Sequence, residues 1–290
     1  PHAVRPIRVV IPLRSCVAGL LSAPLRFLRI LPKHVLPGAL PMALGVGLYD
    51  ALAGRTRSLP RGGVTAGEGV RRRFPYLGSR FAGAVWTYEG RIHAPERIAL
   101  ELAEDGVLAG GRSAALNYCG LTGFDGSSLQ LEDRLSGRLF TVRPRAVVNA
   151  AGAHADQVAK LFGVGQRMTG GVAGAHLVLD APDLANALGD DLLFFEDDNP
   201  EPAKRRLCVV YRLAGDRVLL GTTESRCEAA DEAALTEADT HYLLAALRAA
   251  LPGPAANVRV VGHTIGVLRW YVIRQIVSSF GLALPTLTSI

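Results

Sequence analysis

Residues 145–156, RAVVNAAGAHAD, constrain the fold more than any other stretch. A short β-branched run ends on Asn149, Ala150, Ala151 and Gly152, and polar residues at helical spacing follow in ADQVAKLFG. A strand that stops on small residues at the mouth of a helix brings backbone close to a dinucleotide or pyrophosphate, which points to an α/β protein. A glycine after a buried strand also serves as plain punctuation. The partner of such a turn, a GxGxxG unit, is absent: GVGLYD and GVGQRM share only its first two glycines.

With 290 residues, 49% of them hydrophobic and 20% charged, the chain can bury one large core or two medium ones. Cys16, Cys119, Cys208 and Cys227 are far apart and form no ligand-spaced pair, so neither a metal centre nor a disulfide framework is expected. Pro12, Pro24, Pro32, Pro37 and Pro41 break the most apolar region below the roughly 18 residues that a spanning helix needs. The first residue is Pro1, which suggests a start inside a longer reading frame.

The net charge of +6 is unevenly spread: residues 1–80 carry 13 Lys and Arg against Asp50 and Glu68. Arg5, Arg8, Arg14, Arg26, Arg29 and Lys33 are interleaved with aliphatic residues. A solvated basic helix face and a segment lying on anionic lipid both fit this pattern. Only Phe27 is aromatic among the first 48 residues, so base stacking is poorly supported and no nucleic-acid partner is expected.

Residues 1–80 read as a basic helical block, including LPMALGVGLYDALAG with Gly54 as C-cap. Residues 81–112 read as a strand, FAGAVWTYEG, and a helix opening at Pro95. Residues 113–165 read as a β-meander (SAALNY, GLTGF, SLQLED, GRLFTVR) with turns at FDGSS and LSGR, leading into strand RAVVNA and a short helix. Residues 166–267 read as a mostly antiparallel sheet with an amphipathic helix capped by Thr236 and Asp239. Residues 268–290 form a separate tail.

Two sites could carry chemistry. His176 in GVAGAHLVLD follows small residues and leads an apolar strand, where it is either a satisfied edge histidine or a functional one. Thr222 and Thr223 end the strand LLGTTES, where their hydroxyls meet a substrate or cap a turn.

Taken in order, these segments resemble the FAD-dependent glycerol-3-phosphate dehydrogenases, within the D-amino-acid-oxidase-like flavoproteins. The resemblance runs through PHAVRPIRVVIPL, GLYDALAGRTRSLPR, VWTYEGRIHAPERIALELA, RAVVNAAGAHAD, GVAGAHLVLD, LLGTTES and TEADTHYLLAAL, to about residue 267. It implies a partial FAD-binding Rossmann-like domain with a β-meander, joined to a mostly antiparallel substrate domain, α/β (α+β) in class. It also implies FAD held near Asn149, Ala151 and Gly152, a catalytic His176, and substrate contacts from Thr222, Thr223 and Arg269. The implied reaction oxidises sn-glycerol 3-phosphate to dihydroxyacetone phosphate and passes electrons to quinone. The implied place is the cytoplasm, peripheral to the inner face of the plasma membrane.

The chain departs from the family pattern at both ends. The family's GxGxxG unit would lie before Pro1. Where the family carries Gly-Val-Arg-Pro this chain reads GVLRW, so Leu268 takes the arginine's place and Arg269 comes one residue late, on the opposite face of a strand. An internal fragment is therefore expected. The alternatives are an inactive remnant, or another flavin-dependent amine or amino-acid oxidoreductase.

Overall fold

The computed structural model describes residues 4–17, 38–54, 58–166, 171–201, 205–226 and 234–269. In chain order the elements begin with β1 (Val4–Leu13), α1 (Ala39–Ala53), β2 (Gly63–Ala66), α2 (Glu68–Arg73), β3 (Gly83–Ile92) and α3 (Pro95–Gly110). Next come β4 (Cys119–Phe124), β5 (Leu129–Asp133), β6 (Arg138–Val142), α4 (Ala155–Leu161), β7 (Gly171–Asp180) and α5 (Pro182–Leu188). The last are β8 (Asp191–Glu196), β9 (Leu207–Arg212), β10 (Arg217–Gly221), β11 (Ser225–Arg226), α6 (Glu237–Ala250) and β12 (Arg259–Arg269). The chain divides into two compact units.

The first unit comprises Pro1–Arg91, Ala173–Ser225 and Ala233–Gly266. Its sheet runs β11-β7-β10-β9-β8-β1-β3-β2, with β12 also paired to β7. β1 and β8 are parallel, while β8-β9, β9-β10, β10-β7 and β2-β3 are antiparallel. Side chains alternate across a strand, so the odd-numbered residues Ala173, Ala175, Leu177 and Leu179 of β7 are buried. Leu177 and Leu179 join Leu193, Phe195, Val210, Val218 and Leu220 beneath Leu184 and Leu188 of α5 and Leu243 and Leu247 of α6. Each fully buried leucine contributes about 1.5–3 kcal/mol by leaving water. Thr236 and Asp239 cap α6 reciprocally: Thr236 Oγ1 accepts from Asp239 N at 3.1 Å, and Asp239 Oδ2 accepts from Thr236 N at 3.0 Å.

The helical reading of the N-terminal block is corrected at residues 4–13, which form a strand in the middle of this sheet. The stretch VRPIRVVIPL is rich in β-branched residues, and Pro6 and Pro12 oppose a helix interior. Two arginines of the N-terminal block, Arg8 and Arg14, have partners within the protein. Arg8 donates from Nε and Nη2 to both oxygens of Asp191, at 2.6 and 2.9 Å, and Tyr76 Oη donates to the same carboxylate at 2.7 Å. Arg14 donates to Asp197 O and Asp198 Oδ1, each at 2.7 Å. Arg26, Arg29, Lys33 and Phe27 lie outside the described residues. The helix ending at Gly54 forms as expected, with that glycine at φ +56°.

The second unit comprises Ile92–Val172, Arg226–Glu232 and Val267–Ile290. It holds α3 and a three-stranded antiparallel sheet in the order β4-β5-β6. Gly126 and Gly137 supply the positive φ that its two turns need. Phe124 of β4 packs against Phe162 after α4, with ring centroids 4.7 Å apart. SAALNY and RAVVNA, both expected as strands, are not strands. A strand exists only through a neighbour that takes up its backbone groups, and none of the described strands pairs with these segments. Val148 is 88% exposed accordingly.

Candidate functional site

The face of the large sheet opposite its core carries the even-numbered residues of β7. In the β7-β10-β9 register, His176 stands opposite Gly221, and Gly221 opposite Val209; Val178 is opposite Leu220's neighbour Leu219. Leu219 faces Tyr211, which in turn faces Leu192 on β8. Val178, Leu192, Phe194, Val209, Tyr211 and Leu219 are all half-buried. The result is a half-open, mainly apolar floor that carries the His176 imidazole. Burial holds the His176 pKa below its ordinary 6.5, so the ring is neutral at pH 7.

Two glycines shape this corner. A Cβ on Gly221 would stand 2.1 Å from His176 Cδ2 and 2.7 Å from Nε2, so the imidazole occupies the space that the missing side chain leaves. A Cβ on Gly174 would likewise stand 2.5 Å from Thr222 Oγ1.

The two threonines differ in what they have left to offer. Thr223 is buried; its Oγ1 accepts from Ala175 N at 3.0 Å and its own N–H donates to Ala175 O at 3.2 Å. Its hydroxyl thus pins the end of β10 to β7. Thr222 is half-buried and donates from Oγ1 to Thr223 O at 2.9 Å, which leaves that oxygen's lone pairs as acceptors. Arg269 is the last residue of β12, and its side chain lies outside the described residues.

Arg91, which the sequence did not single out, lies on the same face. Its guanidinium stands 5.0 Å from the Tyr211 ring centroid and donates from Nη2 to Arg212 O at 3.0 Å. The only sequence signal for it is a basic residue near the end of a strand. Its place over Tyr211 follows from pairings between strands more than a hundred residues apart.

Asn149, Ala151 and Gly152 come together in the second unit. Asn149 closes the turn on itself, accepting from Ala151 N at 3.2 Å and donating to Ala155 O at 2.8 Å. Gly152 has φ +55° and starts a 3-10 turn, Gly152–His154, that runs into α4. No heavy atom lies within 4 Å of the place its Cβ would take, so the backbone is open to close approach on that side. Asn149 thus fixes a turn whose backbone stays accessible at Gly152.

The family model described as FAD dependent oxidoreductase (DAO) matches residues 28–274. Glycerol-3-phosphate dehydrogenase 1 of Mycobacterium tuberculosis (strain ATCC 25618 / H37Rv) is 27% identical over 178 residues, which cover 53% of this chain and 32% of that protein. The chain therefore spans about a third of the length of the curated relatives it matches. Among solved structures, the glycerol-3-phosphate dehydrogenase from Bacillus halodurans complexed with FAD is similar at a TM-score of 0.62. It is 18% identical, and the match covers 93% of this chain and 45% of that one. Glycine oxidase from Geobacillus kaustophilus gives 0.60 at 16% identity, covering 92% and 60%. The L-alpha-glycerophosphate oxidase from Mycoplasma pneumoniae with FAD bound gives 0.57 at 13%, covering 92% and 62%. These likenesses carry the fold, and the family match carries the cofactor: the chain belongs to the FAD dependent oxidoreductase (DAO) family, whose cofactor is FAD.

Proposed function

We propose that this chain is part of an enzyme that oxidises sn-glycerol 3-phosphate to dihydroxyacetone phosphate. The observation that carries this reading is the neutral His176 on a half-open apolar sheet face beside Gly221 and Thr222. The choice of substrate rests on the Mycobacterium relatives named as glycerol-3-phosphate dehydrogenases. FAD, when bound, supplies the redox chemistry by accepting hydride from C2. His176, neutral and held by its fit against Gly221, would take the C2 hydroxyl proton, and the apolar floor would exclude water from the reacting carbon.

The proposed electron acceptor is quinone, reached at a membrane surface on the cytoplasmic side. Support comes from α1, where Leu40, Leu44, Leu48 and Leu52 recur every fourth residue and are all exposed. Such an exposed apolar stripe would gain by burial in an apolar layer. No described helix is long and apolar enough to cross a membrane. Sedimentation with vesicles tests this: Leu44→Glu with Leu48→Glu should release the protein from anionic vesicles, and unchanged binding would remove the membrane reading.

The substrate test is anaerobic mixing of FAD-loaded protein, expressed from its full reading frame, with sn-glycerol 3-phosphate, glycine or L-proline. Flavin bleaching by sn-glycerol 3-phosphate alone is expected. Bleaching by glycine and not by the phosphate would favour the second reading, an amino-acid oxidase, which the similar glycine oxidase fold keeps in view.

A further inference from the structure

We propose that Arg91 is a recognition residue for the substrate's negatively charged group, forming an oxyanion subsite on the sheet face that carries His176. This deepens the proposed function and rests on it only for the identity of the substrate.

The shared face follows from register. His176 pairs with Gly221 and Gly221 with Val209, so these three positions project to one side of the sheet. Tyr211, two residues from Val209, projects to that side as well. Arg91 lies over the Tyr211 ring and therefore on this face. Two strand spacings and two residues separate His176 from Tyr211, about 12 Å between backbones. Leu219 and Val209 form the floor between them.

Charge is the second argument. Arg8, Arg14, Arg80, Arg97, Arg205 and Arg259 each have a carboxylate within ion-pair distance. Arg91 has none among the described residues; its contacts are a tyrosine ring and one backbone carbonyl. That carbonyl takes one of five guanidinium donors. Placed over Tyr211, the planar guanidinium has further N–H groups to offer, and such a fork grips a phosphate or carboxylate in a two-pronged manner. A small substrate held there by its charged end would lie over Leu219 and Val209 with its alcohol or amine carbon toward His176.

The test is nuclear magnetic resonance on the labelled, FAD-loaded protein expressed from its full reading frame, following the Arg91 Nε–Hε signal and the His176 ring. The probes are sn-glycerol 3-phosphate, inorganic phosphate, glycine and glycerol. In the parent chain, sn-glycerol 3-phosphate should move both signals, inorganic phosphate should move Arg91, and uncharged glycerol should move neither. Arg91→Gln should weaken sn-glycerol 3-phosphate binding at least tenfold. Arg91→Lys, which keeps the charge without the fork and guards against a folding artefact, should fall between. Wild-type affinity in Arg91→Gln, or an Arg91 signal that no anion moves, overturns the subsite. Arg91-dependent binding of glycine in place of the phosphate would keep the subsite and remove the glycerol-phosphate reading.

Discussion

The imidazole of His176 occupies the space above Gly221, at the last pair of the β7-β10 register. An alanine at 221 would meet the ring at 2.1 Å, and the group that must give way is a side chain. Gly221→Ala should therefore turn the ring out of its place while the sheet persists, at a cost of about 1–3 kcal/mol. The His176 pKa should then climb toward 6.5, read from its ring signals. An unchanged pKa and ring position would show that the glycine does not set the imidazole's orientation.

The lowered pKa of His176 has a stability consequence of definite sign. Below its ordinary 6.5 the unfolded chain takes up the proton more readily than the folded one, so stability falls as pH drops through 6.5 and levels off below the folded value. Well above 6.5 this residue contributes no slope. Urea midpoints between pH 5 and 8 should show the fall in the parent protein and a smaller one in His176→Gln. Equal slopes in both would place the effect elsewhere.

Thr223 is expected to act on stability and not on substrate. Thr223→Val removes the acceptor of the buried Ala175 N–H and should destabilise the unit by about 1–3 kcal/mol, with Thr223→Ser retaining most of it. A Val variant as stable as the parent but weaker in substrate binding would reverse this assignment.

Arg8 holds the buried carboxylate of Asp191 with Tyr76. Arg8→Ala should cost about 3 kcal/mol because it strands that carboxylate. The double change Arg8→Met with Asp191→Leu should recover much of the loss, and denaturation of all three proteins decides it.

FAD binding by the 290 residues alone should be weak, since they contain no GxGxxG turn to cradle the pyrophosphate. Equilibrium dialysis measures it. A stoichiometric yellow complex would mean that the turn around Gly152 suffices.

Local chemistry was readable wherever a residue answers to its near neighbours. The Thr236–Asp239 cap and the glycine turns at 126 and 137 form as the sequence implies. Residues 4–13 were misread because prolines among aliphatics suggest broken helices, whereas their strand is set by Asp191–Leu193, far along the chain. RAVVNA was misread for the opposite reason: it has strand propensity but no described strand beside it. At the site, His176 stood out because a polar ring interrupts an apolar run. Arg91 did not, since its position over Tyr211 exists only once the sheet is assembled.

The parallel pairing of β1 with β8 joins residues 183 positions apart at Arg8 and Asp191. During synthesis at about 5–20 residues per second, β1 would wait roughly 10–40 s for its partner to emerge. Its other neighbour, β3, is made much earlier, so until β8 emerges β1 has one open edge. The β2-β3 and β4-β5-β6 ladders close over short loops and can form in that interval. Chaperone dependence on the ribosome should therefore map to the edge of β1 that β8 later covers.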